Sequence, residues 1–200
     1  MPIVGVTGGF AVGKSFVSSI LVKNSAHLLD CDELAREAVE PETKGFLSVV
    51  ENFGENILSK DGSINRKTLG KIVFHDPKQR RKLEAILHPR ILGMLTFRFE
   101  EIFLQDKNAL IVVEAALLFE SGLFTAMDYK ITVTCNEEQQ IDRAKKRDGI
   151  SEDDIMAIIN SQWPTARKVA LSDFVIDNSG DIESTRQQVM VVFEKLSAKT

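Results

Sequence analysis

Two hundred residues are enough for one compact domain with a substantial core. With 44% hydrophobic and 27% charged residues the chain is neither disordered nor fibrous, and a net charge of −4 argues against a polyanion-binding surface, so no nucleic-acid partner is expected and any anion site must be local. Cys31 and Cys135 are too few for a disulfide framework and read as buried free thiols, and His27, His75 and His88 share no metal-ligand spacing.

The opening run Met1-Pro-Ile-Val-Gly-Val has no basic region followed by a long apolar one, so it reads as a first strand, Ile3 to Thr7, and not as a leader. Lys14 to Lys23 follows as a helix, with Phe16, Val17, Ile20 and Leu21 at helical spacing. His27 to Asp30 is a second strand, and Glu33 to Val39 a helix that Asp32 can cap. Roughly eighty residues then separate the second strand from the third, too many for an ordinary crossover, and they read as helical. Within them lie a helix Glu42 to Phe53, a turn at Asp61-Gly62-Ser63, an Asn65-capped helix to Phe74, and a helix opened by Asp76-Pro77. Pro89 marks a new start, so Arg90 to Gln105 is expected as an amphipathic helix with Leu92, Leu95, Phe99, Ile102 and Phe103 inward.

Strands at Leu110 to Glu114, Lys130 to Cys135 and Asp173 to Asp177 complete an alternation that implies a parallel sheet covered by helices. The most apolar stretch, Ala109 to Phe119, is broken by Glu114 and too short to span a bilayer; the expectation is a cytoplasmic protein with no membrane partner. Glu137 to Arg147 and Ser151 to Gln162 form a charged helical pair split by Gly149, resembling a mobile flap, and Asp181 to Leu196 closes the chain as a helix.

Gly8-Gly9-Phe10-Ala11-Val12-Gly13-Lys14-Ser15 fits the eight-residue Walker A pattern, in which glycines let backbone N–H groups turn inward around a phosphate. Its four fixed positions coincide by chance in roughly one sequence per hundred of this size. Here the loop also lies between a predicted strand and a predicted helix, the context a true site demands. Gly8 to Phe16 is therefore the expected ATP-binding segment: Lys14 bridges β- and γ-phosphate oxygens, and the Ser15 hydroxyl ligates Mg²⁺. The fold class is α/β, a P-loop NTPase-like three-layer α/β/α domain with a five-stranded parallel sheet, an inserted helical lobe and a helical lid. In residue ranges, the single domain 1–200 comprises a core of 1–31, 108–136 and 172–200, the lobe 32–107 and the lid 137–171.

Asp32 falls just past the second strand, at the edge where ligands of open α/β sheets bind; it suits either a base for an acceptor hydroxyl or a helix cap. Arg143, Lys145, Lys146 and Arg147 suit either a catalytic flap or a solvated face paired with Glu137 and Glu138. Glu114 suits a carboxylate behind a metal, and Glu120 the same or a cap. Trp163 reads as packing in preference to a hinge landmark, and Asp177-Asn178 as a turn or an adenine contact.

The phosphate loop, Asp30-Cys-Asp32-Glu-Leu-Ala-Arg36, Asp61-Gly-Ser-Ile-Asn65, Leu87-His88-Pro89, Leu117-Leu-Phe-Glu120, Gln140-Ile-Asp-Arg143 with Arg147, and Ile176-Asp-Asn178 together resemble the dephospho-coenzyme A kinase family over nearly the whole chain. That resemblance implies transfer of the ATP γ-phosphoryl group to the ribose 3′-hydroxyl of dephospho-coenzyme A. It puts Asp32 at the general base and Arg143, with Lys14, among the catalytic cations. Arg147 and Asn178 then join the ATP site, and Arg36 and His88 with Asp32 the acceptor site. Two departures stand out. The family commonly has Gly and Ser where Ala11 and Val12 stand, the β-branched Val12 being the stiffer, and Pro where Ala116 stands. Two rivals remain at this point: a kinase of nucleoside monophosphates or other small alcohols, and a nucleotide-binding switch. The guanine-reading Asn-Lys-x-Asp pattern is absent, and Ser197-Ala-Lys199 is only a fragment of a GTPase signature at the chain's end.

Overall fold

The structure, a computed structural model, describes residues 2–197, so Ala198 and Lys199 of that last fragment lie outside the described residues. Strands β1 (Ile3–Gly8), β2 (Ala26–Asp30), β3 (Leu110–Glu114), β4 (Tyr129–Thr134) and β5 (Phe174–Asp177) form one sheet in the order β2-β3-β1-β4-β5, with every pairing parallel. The five strand expectations hold to within a residue or so at each end.

Strand periodicity divides the sheet's faces. Val4, Val6, Ile131 and Val133 pack with Val17, Ile20 and Leu21 of α1 (Lys14–Lys23) and with Val189, Val192 and Leu196 of α9 (Ile182–Ser197). The opposite face carries Gly5, whose missing side chain leaves room for Leu118 and Met127. It also carries Thr7 and Thr132; the Thr132 hydroxyl meets that of Ser172, just past α8 (Thr165–Ala170), at 2.5 Å. The short α8 has no counterpart in the sequence reading.

The chain divides into two compact units, residues 1–30 with 99–200, and residues 31–98. The second has its own core of Val49, Ile57, Ile64, Leu69 and Val73. Its helices start where side chains can take orphan amides: the Thr43 hydroxyl accepts from Phe46 N–H at α3 (Lys44–Phe53), and the Asn65 carboxamide from Thr68 N–H at α4 (Arg66–His75).

Three local expectations are corrected. Helix α2 runs Cys31–Glu37, so Asp32 sits in its first turn and does not cap it. α3 starts at Lys44 and not at Glu42, whose φ of 70° is outside helical range. Pro89 starts no helix but lies inside α5, which runs unbroken over Pro77–Gln105. A proline there removes the helical donor to the Ala85 carbonyl, and the Arg90 guanidinium donates to the next carbonyl, that of Ile86, in the same turn. Of the apolar stripe expected on this segment, Leu95 is fully buried, while Leu92 and Phe103 are exposed.

Candidate active site

In the first unit β1 ends at Gly8, and the chain turns through Gly9–Gly13 into α1. The turn needs left-handed backbone twice. Gly13 has φ 96°, and a Cβ there would lie 2.1 Å from Asn178 Nδ2. Ala11 has φ 57°, which in an L-residue costs about 1–2 kcal/mol. The departure that matters for loop torsion is therefore Ala11. Val12, the position expected to be stiff, has no left-handed torsion and is buried against the core between sheet, α1 and α9.

Three neighbours hold the loop by its carbonyls. Asn178 Nδ2 donates to Val12 O at 2.8 Å, and the Thr185 hydroxyl donates to Asn178 Oδ1 at 3.0 Å. Arg143, on α6 (Glu137–Asp148), donates to Val12 O at 3.3 Å and to Asn178 O at 2.9 Å. Gln140, one turn earlier on α6, donates to Phe10 O. The Arg147 guanidinium lies 5.0 Å from the Phe10 ring centroid and makes two hydrogen bonds to Asp148 at 2.9 and 2.8 Å. Phe10 and Ala11 also pack on Ala144 of α6 and on Ile155 of α7 (Glu152–Ser161). Gly149 ends α6 in a left-handed cap, and the Ser151 hydroxyl caps α7, as the sequence reading expects.

With its carbonyls tied outward, the loop leaves its amides and the N-terminus of α1 for an anion. Lys14 is buried, and its ammonium donates to Gly9 O at 3.0 Å and more weakly to Gly8 O at 3.5 Å. The exposed Ser15 donates its hydroxyl to Glu114 Oε1 at 2.8 Å, while Glu114 Oε2 is buried with no hydrogen-bond partner among the described residues. Burial raises the Glu114 pKa; the Ser18 and Ser15 hydroxyls and the Lys14 charge oppose it.

Behind the site, Lys168 on α8 is wholly buried. Its ammonium bonds Glu120 Oε1 at 2.9 Å and Ala116 O at 2.7 Å. Burial lowers its pKa, and Glu120 opposes the shift. Glu120 therefore caps no helix: it holds Lys168 and accepts the Trp163 N–H at 2.8 Å. Trp163 is half-buried under the Arg167 guanidinium, 3.3 Å from its ring centroid.

In the second unit Asp32 and Arg36 are exposed, one turn apart on α2. Arg36, Glu40, Ser63, Asn65 and Arg66 line a cleft of about 380 Å³, walled also by Val39, Pro41 and Ile64. His88 is half-buried on α5, outside that lining.

The structure thus gathers Gly8 to Phe16, Arg143, Arg147 and Asn178 in one unit, and Asp32 and Arg36 on one helix of the other. The sequence reading missed Gln140 and Lys168 as individuals. Gln140, Arg143, Ala144 and Arg147 recur at three- and four-residue steps, a stripe that signals one working face of α6. Lys168 gave no signal, because a lysine in a polar six-residue helix reads as solvated.

A parallel sheet in this strand order, with a Walker A turn between β1 and α1, defines an ATP-using phosphotransferase of the P-loop kinase type. The model of the dephospho-CoA kinase family matches residues 2–184. A dephospho-CoA kinase of Carboxydothermus hydrogenoformans is 40% identical over 195 residues, 98% of this chain and 94% of that protein. Among solved structures, one from Thermus thermophilus superposes with a TM-score of 0.80 at 28% identity, covering 98% of this chain and 97% of that one. The dephospho-CoA kinase of Campylobacter jejuni gives a TM-score of 0.69 at 27% identity, with 98% of both chains covered. The chain belongs to the dephospho-CoA kinase family, whose members are kinases of coenzyme A biosynthesis.

Proposed function

We propose that this chain transfers the γ-phosphoryl group of ATP to the ribose 3′-hydroxyl of dephospho-coenzyme A, with Gly8–Phe16 holding the donor. The observation that carries the proposal is the convergence of two cations on one turn: Lys14 within the phosphate loop, and Arg143 from α6 bonded to the Val12 carbonyl beside it. Phosphoryl transfer needs little covalent help from a protein, and such a pair supplies the charge stabilisation it does need. Lys14 and Arg143 exchange loop carbonyls for phosphate oxygens as charge develops. Arg147 stacks on Phe10 and keeps that wall in place, and Asn178 serves the nucleotide site by holding the loop's shape.

The donor set fits Mg²⁺. Ser15 Oγ and Glu114 offer hard oxygen atoms, one of them the buried unpartnered Oε2, and Mg²⁺ takes its remaining ligands from water and substrate phosphates. Bound there, the ion would neutralise charge on the β- and γ-oxygens.

For the acceptor, Asp32 accepts the hydroxyl proton, and Arg36 with Arg66 offers two positive charges to the acceptor's diphosphate in the cleft they line. His88 supports the same lobe. A coupled ADP-release assay with dephospho-coenzyme A and a panel of nucleoside monophosphates and small alcohols tests the assignment. Preference for any of those alternatives would overturn the substrate. Asp32→Asn is expected to lower turnover by ~10²-fold with ATP affinity kept; normal turnover would remove Asp32 from the role of base.

A further inference from the structure

The sheet face opposite α1 and α9 holds a polar junction that none of the roles above uses. Lys168 is wholly buried, and its ammonium is shared between Glu120 Oε1 and Ala116 O. Burying an ammonium is costly, and a buried pair of this kind is weak evidence for stability, since an apolar pair of similar volume often does as well. The connections of this pair explain its presence better. The Ala116 carbonyl also accepts the hydroxyl of Thr7 at 3.3 Å, and Thr7 is the residue immediately before the phosphate loop. Glu120 Oε1 also accepts the N–H of Trp163, where the α6–α7 hairpin returns to the body of the unit and α8 begins. One side chain therefore joins the segment after β3 to the strand feeding the loop and to the return leg of the hairpin that carries Arg143.

We propose that Lys168 is a positioning residue for phosphoryl transfer, fixing the pivot of the α6–α7 hairpin against the base of the phosphate loop so that Arg143 stays in register with Lys14 and water stays out. Register is worth much here, because a misplacement of about 1 Å in a catalytic group costs on the order of 10²-fold. The proposal rests on the phosphotransfer reading above, but not on which alcohol accepts the phosphate.

Lys168→Met keeps most of the buried volume and removes the charge. Measured well below its melting temperature, it is expected to lose about 10²-fold in kcat for transfer while KM for ATP changes little. The ADP released per acceptor phosphorylated should rise, and so should acceptor-free hydrolysis of ATP. Lys168→Arg should recover part of the loss. Glu120→Gln guards against a misfolded lysine variant: it should show the same uncoupling, and the double variant should be no worse than the worse single one. A lowered melting temperature with wild-type kcat and coupling would reduce Lys168 to a structural group and overturn the proposal, as would additive losses in the double variant. If the wild-type chain transfers to no acceptor tried, the substrate assignment fails by itself, and unchanged acceptor-free hydrolysis in Lys168→Met still decides against the clamp.

Discussion

Asn178 donates to the Val12 carbonyl at 2.8 Å, and its Nδ2 fills the space a side chain at Gly13 would need, where a Cβ would stand 2.1 Å away. The residue just past the last strand thus sets the shape of a loop formed some 165 positions earlier, and Gly13 is the residue that lets it approach.

Gly13→Ala is therefore expected to fail twice, through the contact with Asn178 and through a φ of 96°. Stability should fall by about 2 kcal/mol or more and ATP binding at least tenfold. Adding Asn178→Ala should not restore binding, because the torsion remains wrong and the Val12 carbonyl loses its donor. Chemical denaturation and nucleotide titration of the two variants check this.

Ala11→Gly tests the strain at the other left-handed residue. Relief of about 1 kcal/mol is offset by the loss of a methyl packed on Ala144 and Ile155, worth about 0.8 kcal/mol, and by the greater freedom of glycine in the unfolded chain. Stability should therefore stay within about 1 kcal/mol of wild type. Ala11→Val, β-branched at φ 57°, should lose about 2 kcal/mol or more. Equal stability of the valine variant in a urea titration would mean that the loop does not need this torsion.

Arg143→Ala is expected to reduce kcat by about 10²–10³-fold, more than it weakens ATP binding, since the gain from this cation comes as charge develops. Arg143→Lys should recover little. Two different carbonyls, on Val12 and Asn178, are held by separate nitrogens of one planar guanidinium, and a single ammonium nitrogen lacks that fixed fork. Steady-state kinetics resolves the two parameters; a change confined to KM would point to ground-state binding alone.

Glu114 titrates above the ordinary carboxylate value of 4.5, chiefly because it is buried. The folded state then holds this proton more tightly than the unfolded chain. Its contribution to stability is present below pH 4.5 and is lost as pH rises through the raised value. Glu114→Gln should remove that loss, so the melting temperature of the variant should gain on wild type as pH increases from 4.5 upward. A constant difference across that range, measured without nucleotide or metal, would contradict the raised pKa.

What the sequence revealed followed physical locality. The strands and the phosphate loop were legible because hydrophobic runs, glycine positions and the spacing to Lys14 act within a few residues of each other. Asn65 and Ser151 were readable as caps for the same reason. Pro89 misled because the local rule, that proline breaks helices, is not absolute: this long helix loses one donor at Pro89 and continues, with the Arg90 guanidinium on the neighbouring Ile86 carbonyl. Val12 drew attention from Ala11 because β-branching is visible in a sequence, whereas a left-handed torsion is decided by the turn as a whole. Lys168 was invisible because its burial depends on Glu120 and Ala116, about fifty positions away.

The ammonium of Lys14 bonds the carbonyls of Gly9 and Gly8, which are uncharged acceptors. A triphosphate oxygen that takes this cation competes with those amide oxygens, and its advantage over them is its charge. A ligand offering less charge at that spot, such as a nucleoside lacking phosphates, would have little with which to displace the carbonyls. Discrimination in favour of the fully phosphorylated donor therefore follows from the carbonyls that the loop itself offers to Lys14.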